Sequence, residues 1–382
     1  VRNGVQTWDR STAAAIPATR KQKYVMFLPW APTTGGGVNH VVNGLAEASR
    51  EFYEPVIVVT TWTEPTDHNG PWVYLPGLNP RKPLGFFARL LPTMLRLRAV
   101  LKDAAAANPH FGTLECLPLA ILRSLRLAPA LIVSIHGAEV TEMLATKGLE
   151  RALCRWLFSH VDLVIGCSED LTLKFRELCP AARTVAIWNA TPPAPEVPAE
   201  RPIDAQYLLC VAAFVGKKAH EVLISAFAEI HLQFPDLRLV LIGSDGPTRN
   251  SITEQINQLG LASHVRILLD RPSREVWWWM RHAACFVLPS REEPFGIVLV
   301  EAGKSRTPVV ATRVGGVPEY LSDGEDGLLC EPDNPHQLSE AIARTLNDGA
   351  STRGRVESFY RKASTFTWTK VFQEYRSAAR LP

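Results

Sequence analysis

Strand and helix signals alternate along this chain in two long runs, and the alternation breaks once, in a proline-dense stretch near the middle. In the first run, apolar strand segments at 24–28, 55–60, 131–135, 161–166 and 184–187 are separated by helical patterns, among them 38–50 and 84–107. The second of these patterns carries Pro92, which strains a helix interior by removing a hydrogen bond. In the second run, strands at 207–213, 237–242, 265–268, 284–289 and 309–311 alternate with helices at 221–233, 249–259, a segment opened by Gly296, and 334 to about 346. Between the runs, residues 189–202 hold Pro192, Pro193, Pro195, Pro198 and Pro202, which makes a stiff, extended, helix-free linker. Strands that alternate with helices pack as parallel sheets covered by helices on both faces. The expected fold is therefore α/β, with two doubly wound, Rossmann-like domains facing across a cleft and ligands beyond the carboxyl ends of the strands.

Composition narrows the function classes. A length of 382 residues suits two domains that each bury a core. Charged residues make up 21% of the chain and the formal net charge is only +3, which argues against nucleic-acid binding. The seven cysteines are scattered without a CxxC pair and several sit in apolar strands, so they read as small core residues in a reducing compartment. No run of about twenty apolar residues is present to span a bilayer. Residues 1–22 are polar, without a signal-peptide core, and read as a loose extension; the expected location is cytoplasmic. The domains expected from these boundaries are 23–190 and 203–365, with 366–382 as a closing helical segment.

Ser290-Arg291-Glu292-Glu293-Pro294-Phe295-Gly296-Ile297-Val298-Leu299-Val300-Glu301-Ala302 follows an apolar strand and enters an apolar helix. This puts Glu293 in the loop at a strand's carboxyl end and Glu301 about two turns along the helix, on nearly the same face. The amides of a helix start favour an anionic ligand. From spacing alone, two solvated glutamates fit equally well. Gly35-Gly36-Gly37 follows a strand and opens a helix, so it is either a phosphate-approaching loop or a flexible turn. His136 directly follows a strand and precedes Gly137; it is either a structural histidine or one poised for proton exchange at the cleft, with Glu139 a weaker neighbour. Lys217 and Lys218 are either a solvated pair or cations for an anionic ligand. Gly243 and Gly246-Pro247 form a turn after a strand, and Gly315-Gly316 a loop pair. Trp277-Trp278-Trp279 suggests sugar stacking, although three consecutive helical residues point to different faces. Residues 81–102 hold six basic residues and no acid; Phe87, Leu90, Met94, Leu97 and Leu101 form a core stripe, and Phe86, Leu91 and Leu95 beside Arg89, Arg96 and Arg98 can rest on an anionic membrane.

The segment from Glu293 to Glu301 resembles retaining glycosyltransferases of the GT-B fold, glycosyltransferase family 4 (group 1). The resemblance continues through Pro308-Val309-Val310-Ala311-Thr312-Arg313-Val314-Gly315-Gly316-Val317-Pro318-Glu319 and Asp326-Gly327-Leu328-Leu329, and more weakly from about Tyr24 onward. It implies a nucleoside diphosphate-sugar donor and a sugar or lipid-linked acceptor, in bacterial cell-surface polysaccharide or glycolipid synthesis. No cofactor and no metal are expected. It also implies site roles. Glu301 binds the ribose diol, and Glu293 the sugar hydroxyls and the charge developing at the anomeric carbon. The amides of Phe295, Gly296 and Ile297 meet the diphosphate. Gly36 and Gly37 lie over donor sugar and diphosphate, and Gly243, Gly315 and Gly316 on the nucleotide side. His136 hydrogen-bonds donor sugar or acceptor, and Lys218, with Lys217 beside it, stabilises the leaving group. The last helix crosses back onto the first domain. One departure stands out: Ala213 occupies the place of the family's arginine, and Ala219 that of a glycine. A degenerate nucleotide-sugar-binding subunit and a nucleotide-sugar epimerase of the same fold are the alternatives.

Overall fold

The computed structural model describes residues 21–28, 36–59, 72–75, 83–110 and 116–382, except the side chains at 72, 74, 83–89, 138–139 and 142. Two parallel sheets organise it. The first contains β1 (Lys23–Leu28), β2 (Glu54–Val59), β3 (Trp72–Tyr74), β4 (Ala104–Pro109), β5 (Ala130–Ile135), β6 (Leu163–Gly166) and β7 (Thr184–Ala186), in the order β3-β2-β1-β4-β5-β6-β7. The second contains β8 (Tyr207–Val211), β9 (Arg238–Gly243), β10 (Val265–Leu269), β11 (Cys285–Leu288), β12 (Val309–Thr312) and β13 (Leu328–Cys330), in the order β10-β9-β8-β11-β12-β13. In each sheet the strand order reverses beside the first strand, between β1 and β4 and between β8 and β11. Doubly wound folds bind ligands at such a switch point. β8 and β11 flank the switch point of the second sheet, and β5 lies next to β4 in the first.

β4 corrects the expected helix over 84–107. The helix spans Pro83–Val100, with Pro92 inside it. A turn through Asp103 at φ 63° ends it, and 104–109 becomes a strand. Alanine has the best helix propensity, which is why Ala104–Ala107 reads as helix. In the sheet's centre, Ala106 and Ala107 are fully buried between β1 and β5, where tertiary packing overrides propensity. β3 and the helix Gly349–Ser364 also went unassigned in the sequence.

The expected N-terminal extension lies outside the described residues up to position 20. Its last two residues are anchored: Lys21 Nζ donates to the Arg50 carbonyl at 2.7 Å, and Gln22 accepts from the Glu54 amide at 2.9 Å. The proline-rich connection is strapped to the helix Ser273–His282. Trp278 Nε1 donates to the Glu200 carbonyl at 2.8 Å, and His282 Nε2 lies 2.9 Å from the Pro198 carbonyl. Trp277 and Trp279 are buried, so the tryptophan triplet serves the core and the linker and offers no sugar platform.

Helix Trp368–Ala379 returns to the first sheet. Phe372 meets Tyr24 edge-on at 5.1 Å between ring centroids, and Tyr375 Oη lies 3.3 Å from Ser134 Oγ. Ser134 donates to Asn108, which donates to Tyr24, so the polar atoms of this buried contact are satisfied. All seven cysteines are buried and none forms a disulfide. Among the described residues, no helix is long and apolar enough to cross a membrane.

Candidate active site

The loop after β11 is held from beneath. Thr312 Oγ1 donates to the Ser290 carbonyl at 2.5 Å, and buried Tyr320 donates to the carbonyls of Phe295 at 2.7 Å and Gly296 at 3.2 Å. The Gly316 amide donates to the Glu293 carbonyl at 3.1 Å. A Cβ at Gly315 would stand 2.1 Å from that carbonyl oxygen, and one at Gly316 would stand 2.4 Å from the Pro294 carbonyl oxygen. The Gly315-Gly316 pair therefore lies directly under the glutamate loop. Gly296, at φ 86°, turns the chain into helix Ile297–Lys304. Among the described residues, the amides of Phe295, Gly296 and Ile297 have no protein acceptor.

The first domain closes on this loop. A Cβ at Gly137 would stand 2.4 Å from Pro294 Cγ, so His136-Gly137 presses against the residue after Glu293. At Gly37, the Cβ position is 3.6 Å from Ile297 Cδ1. Gly36, at φ 141°, immediately precedes helix Gly37–Ser49. Glu319 completes the contact. Its carboxylate accepts from the amides of Glu169 at 2.9 Å and Asp170 at 2.8 Å, and from Trp188 Nε1 at 2.9 Å. A second-domain carboxylate thus caps helix Glu169–Leu178 of the first domain, beside the Ser168 cap expected from sequence. Glu319→Ala should cost about 1–2 kcal/mol and loosen the cleft, because two helix-start amides lose their acceptor. Chemical denaturation and the radius of gyration in solution measure this. A variant that matches the parent in both would show that the cap contributes nothing.

The charges meet on the facing side of the loop. Lys218 Nζ pairs with Glu293 Oε2 at 2.5 Å, with the side chains only 17% and 9% exposed, and Ser290 Oγ lies 3.4 Å from the same oxygen. Lys218 ends the 3-10 turn Gly216–Lys218, and Ala219 follows at φ 49°, in the left-handed region where glycine is favoured. Arg291 staples this turn to the glutamate loop. Its amide donates to the Lys217 carbonyl and its Nη1 to the Gly216 carbonyl, both at 2.8 Å, while the guanidinium pairs with Asp333 and Glu221. Sequence reasoning passed over Arg291, whose only signal is its position two residues before Glu293. The Lys217 side chain is exposed. Gly243 lies at the end of β9, where a Cβ would stand 1.9 Å from the Ala212 carbonyl oxygen, so the backbone next to Ala213 packs directly on it.

Glu301 is 7% exposed, and its carboxylate has no hydrogen-bond partner among the described residues. Burial pushes its carboxyl up to about 7, and Lys304 one turn on opposes that rise. Lys304, which the sequence did not flag, is itself buried and pushed down to about 8. It donates to the carbonyls of Thr191 at 2.6 Å, Pro192 at 3.3 Å and Phe366 at 2.8 Å. The helix carrying Glu301 is thereby tied to both chain crossings between the domains. His136 is half-buried, and its Nε2 lies 3.0 Å from Nδ1 of His110, a buried residue just past β4. The Glu139 side chain lies outside the described ones.

Two parallel α/β domains closing on a glutamate loop at their switch points define the GT-B class of sugar-transferring folds. HepE from Anabaena, solved with UDP-glucose, superposes with a TM-score of 0.77 at 20% identity, covering 94% of this chain and 99% of that one. Sucrose-phosphate synthase from Thermosynechococcus elongatus superposes with a TM-score of 0.75 at 21% identity, covering 94% and 98%. At such identities the likeness concerns the fold. Residues 34–194 match the model of glycosyltransferase family 4, and residues 196–363 that of glycosyl transferases group 1. The chain belongs to the group 1, family 4 glycosyltransferases. It is 37% identical over 176 residues to the D-inositol 3-phosphate glycosyltransferase of Corynebacterium glutamicum, a match that covers 44% of this chain and 42% of that protein. It is 36% identical over 173 residues to an uncharacterized glycosyltransferase of Methanocaldococcus jannaschii, covering 45% and 47%. Each match thus spans less than half of the relative's own length.

Proposed function

We propose that this protein is a retaining glycosyltransferase that moves a hexose-type sugar from a nucleoside diphosphate to an acceptor hydroxyl. The observation that carries this reading is the convergence of Lys218, Glu293 and the Glu301 helix on the loop against which His136-Gly137 closes. Glu301 accepts hydrogen bonds from the ribose diol. The amides of Phe295, Gly296 and Ile297, with Lys218, face the diphosphate. The bond from the anomeric carbon to the diphosphate breaks with its electron pair going to the phosphate oxygen, and Lys218 stabilises that charge as it develops. Glu293 holds the sugar hydroxyls and supports the positive charge on the ring. The acceptor oxygen bonds to the anomeric carbon on the same face, and its proton passes to the departing phosphate oxygen that received the electron pair. Without donor, Lys218 and Glu293 neutralise each other, so an entering diphosphate competes for Lys218 and releases the carboxylate toward the sugar. The donor is a substrate, and the reading calls on no resident cofactor.

The UDP and UDP-glucose complexes of HepE support a uridine diphosphate-sugar donor, and the D-inositol 3-phosphate glycosyltransferases support a polyol phosphate acceptor. A melting-temperature screen of nucleoside diphosphate-sugars, followed by assay of nucleoside diphosphate release, tests this. A donor at a hundred times its dissociation constant adds about 2.7 kcal/mol. If no nucleotide sugar raises the melting temperature, the proposal fails. Binding without turnover would favour a nucleotide-sugar-binding subunit, for which the absent cation at Ala213 speaks. Conversion of the donor without an acceptor would favour an epimerase.

Burial of Glu301 adds a pH signature. A diol donates to the charged carboxylate, and the raised value means that this form must be regained from a neutral one near pH 7. Nucleoside diphosphate affinity should therefore rise with pH through 7, by up to about tenfold per unit below that value, and flatten above it. Glu301→Gln should remove this slope and weaken binding about ten- to a hundredfold. Titration calorimetry at several pH values measures both, and an unchanged slope would take Glu301 out of the site.

Peripheral contact with an anionic membrane is a second proposal. On helix Pro83–Val100, Leu97 is buried, whereas Leu91 and Leu95 are 65% and 61% exposed beside exposed Arg96 and Arg98. The side chains of Phe86, Phe87 and Arg89 lie outside the described ones. Arg96→Glu with Arg98→Glu should release the protein from anionic vesicles, each lost cation being worth about 1 kcal/mol. Parent protein that never sediments with such vesicles would end this reading.

A further inference from the structure

His110 stands behind His136 with an unusual constraint. The two rings lie within 8° of parallel, with centroids 5.3 Å apart and Nδ1 of His110 3.0 Å from Nε2 of His136. Two ring radii plus that N···N separation account for the centroid distance, so the rings meet edge to edge and the hydrogen bond lies in their common plane. His110 is 2% exposed, and its other nitrogen, Nε2, is buried without a partner among the described residues. Burial, and secondarily the neighbouring His136, hold His110 well below its ordinary value, so it is neutral.

One proton therefore lies between two imidazoles, and the two ways of placing it are not equivalent. If His136 donates from Nε2, then His110 accepts at Nδ1 and must carry its own proton on Nε2. That strands a buried N–H with no acceptor among the described residues. If His110 donates from Nδ1, its Nε2 is left as a bare lone pair. An orphaned buried donor is rarer in proteins than an under-used acceptor. The second arrangement also determines His136: with Nε2 accepting, its proton sits on Nδ1.

We propose that His110 is a positioning residue that holds His136 in the Nδ1–H tautomer, so that His136 meets an oxygen atom in the cleft as a hydrogen-bond donor and not as a general base. The kinetic part rests on the site proposed above; the tautomer itself does not. Whatever Nδ1 faces, protein or sugar, meets an N–H and not a lone pair. A donor there suits a sugar hydroxyl oxygen or a phosphate oxygen.

Nitrogen-15 NMR of imidazole-labelled protein without ligand reads the tautomer directly. The expected spectrum shows a protonated Nδ1 and an unprotonated Nε2 for His136. His110→Phe should shift His136 toward the Nε2–H form and lower kcat about tenfold, the worth of one hydrogen bond. His110→Asn, which keeps a short side-chain N–H donor, should restore both the spectrum and kcat. A parent spectrum with the proton on Nε2 overturns the tautomer assignment, whatever the activity. The expected spectrum with kcat unchanged in His110→Phe overturns the role of His136 in the reaction and leaves the tautomer standing.

Discussion

Glu293→Gln lowers turnover about a hundredfold while leaving nucleoside diphosphate affinity within about threefold of the parent. The amide fills the same volume and still reaches the sugar hydroxyls, so ground-state contacts largely survive. It carries no charge to balance the positive charge on the sugar ring as the bond to the diphosphate breaks. An interaction realised mainly in the transition state shows in kcat before it shows in binding. The substitution also frees Lys218 from its 2.5 Å ion pair, which leaves that cation available to the diphosphate. Steady-state nucleoside diphosphate release with a matched donor and calorimetric binding of the bare diphosphate separate the two quantities. Turnover within about twofold of the parent would remove Glu293 from the reaction.

Lys218→Met has a comparable effect on turnover, about a hundredfold or more, for a different reason: the leaving diphosphate loses the cation that meets its growing charge. It also weakens diphosphate binding, and it destabilises the fold, because Glu293 at 9% side-chain exposure is left without its partner. Breaking a buried pair from one side costs about 3–5 kcal/mol at most. Combining Lys218→Met with Glu293→Gln removes both charges and should recover most of the stability but none of the turnover. Denaturant midpoints and kinetics of the parent, the two single variants and the double variant make a complete cycle. Parent-like turnover in Lys218→Met would refute the leaving-group role, and Lys217, exposed beside it, would be the next cation to remove.

The strand pattern was legible wherever a strand is apolar and bounded by turn residues. β1, β5, β8, β9 and β11 fall within a residue or two of their expected places. β4 escaped because its alanines carry a helix signal and only their burial between two neighbouring strands makes them a strand. The glutamate motif was legible at a strand–helix junction through its resemblance to family 4, since its spacing alone fitted two solvated glutamates equally well. Its supports were not: Tyr320 reads as an ordinary aromatic and Arg291 as a surface charge until the backbone brings the loop carbonyls within their reach. Lys304, three residues past Glu301, reads as a solvated lysine and is in fact buried against three carbonyls from both interdomain crossings.

By itself the sequence determined the α/β class, the two-domain arrangement and the strand–helix loop on which the candidate chemistry sits. Each of these is encoded by residues close together in the chain, through periodicity, proline content and residue type at a strand's end. Only the tertiary structure decided the pairings. Lys218 and Glu293 are 75 positions apart, Glu319 reaches 150 positions back to cap its helix, and His110 lies 26 positions before His136. Charge, desolvation and tautomer depend on which groups share a buried volume, and that is set by how the two sheets stack and close, which local sequence does not encode.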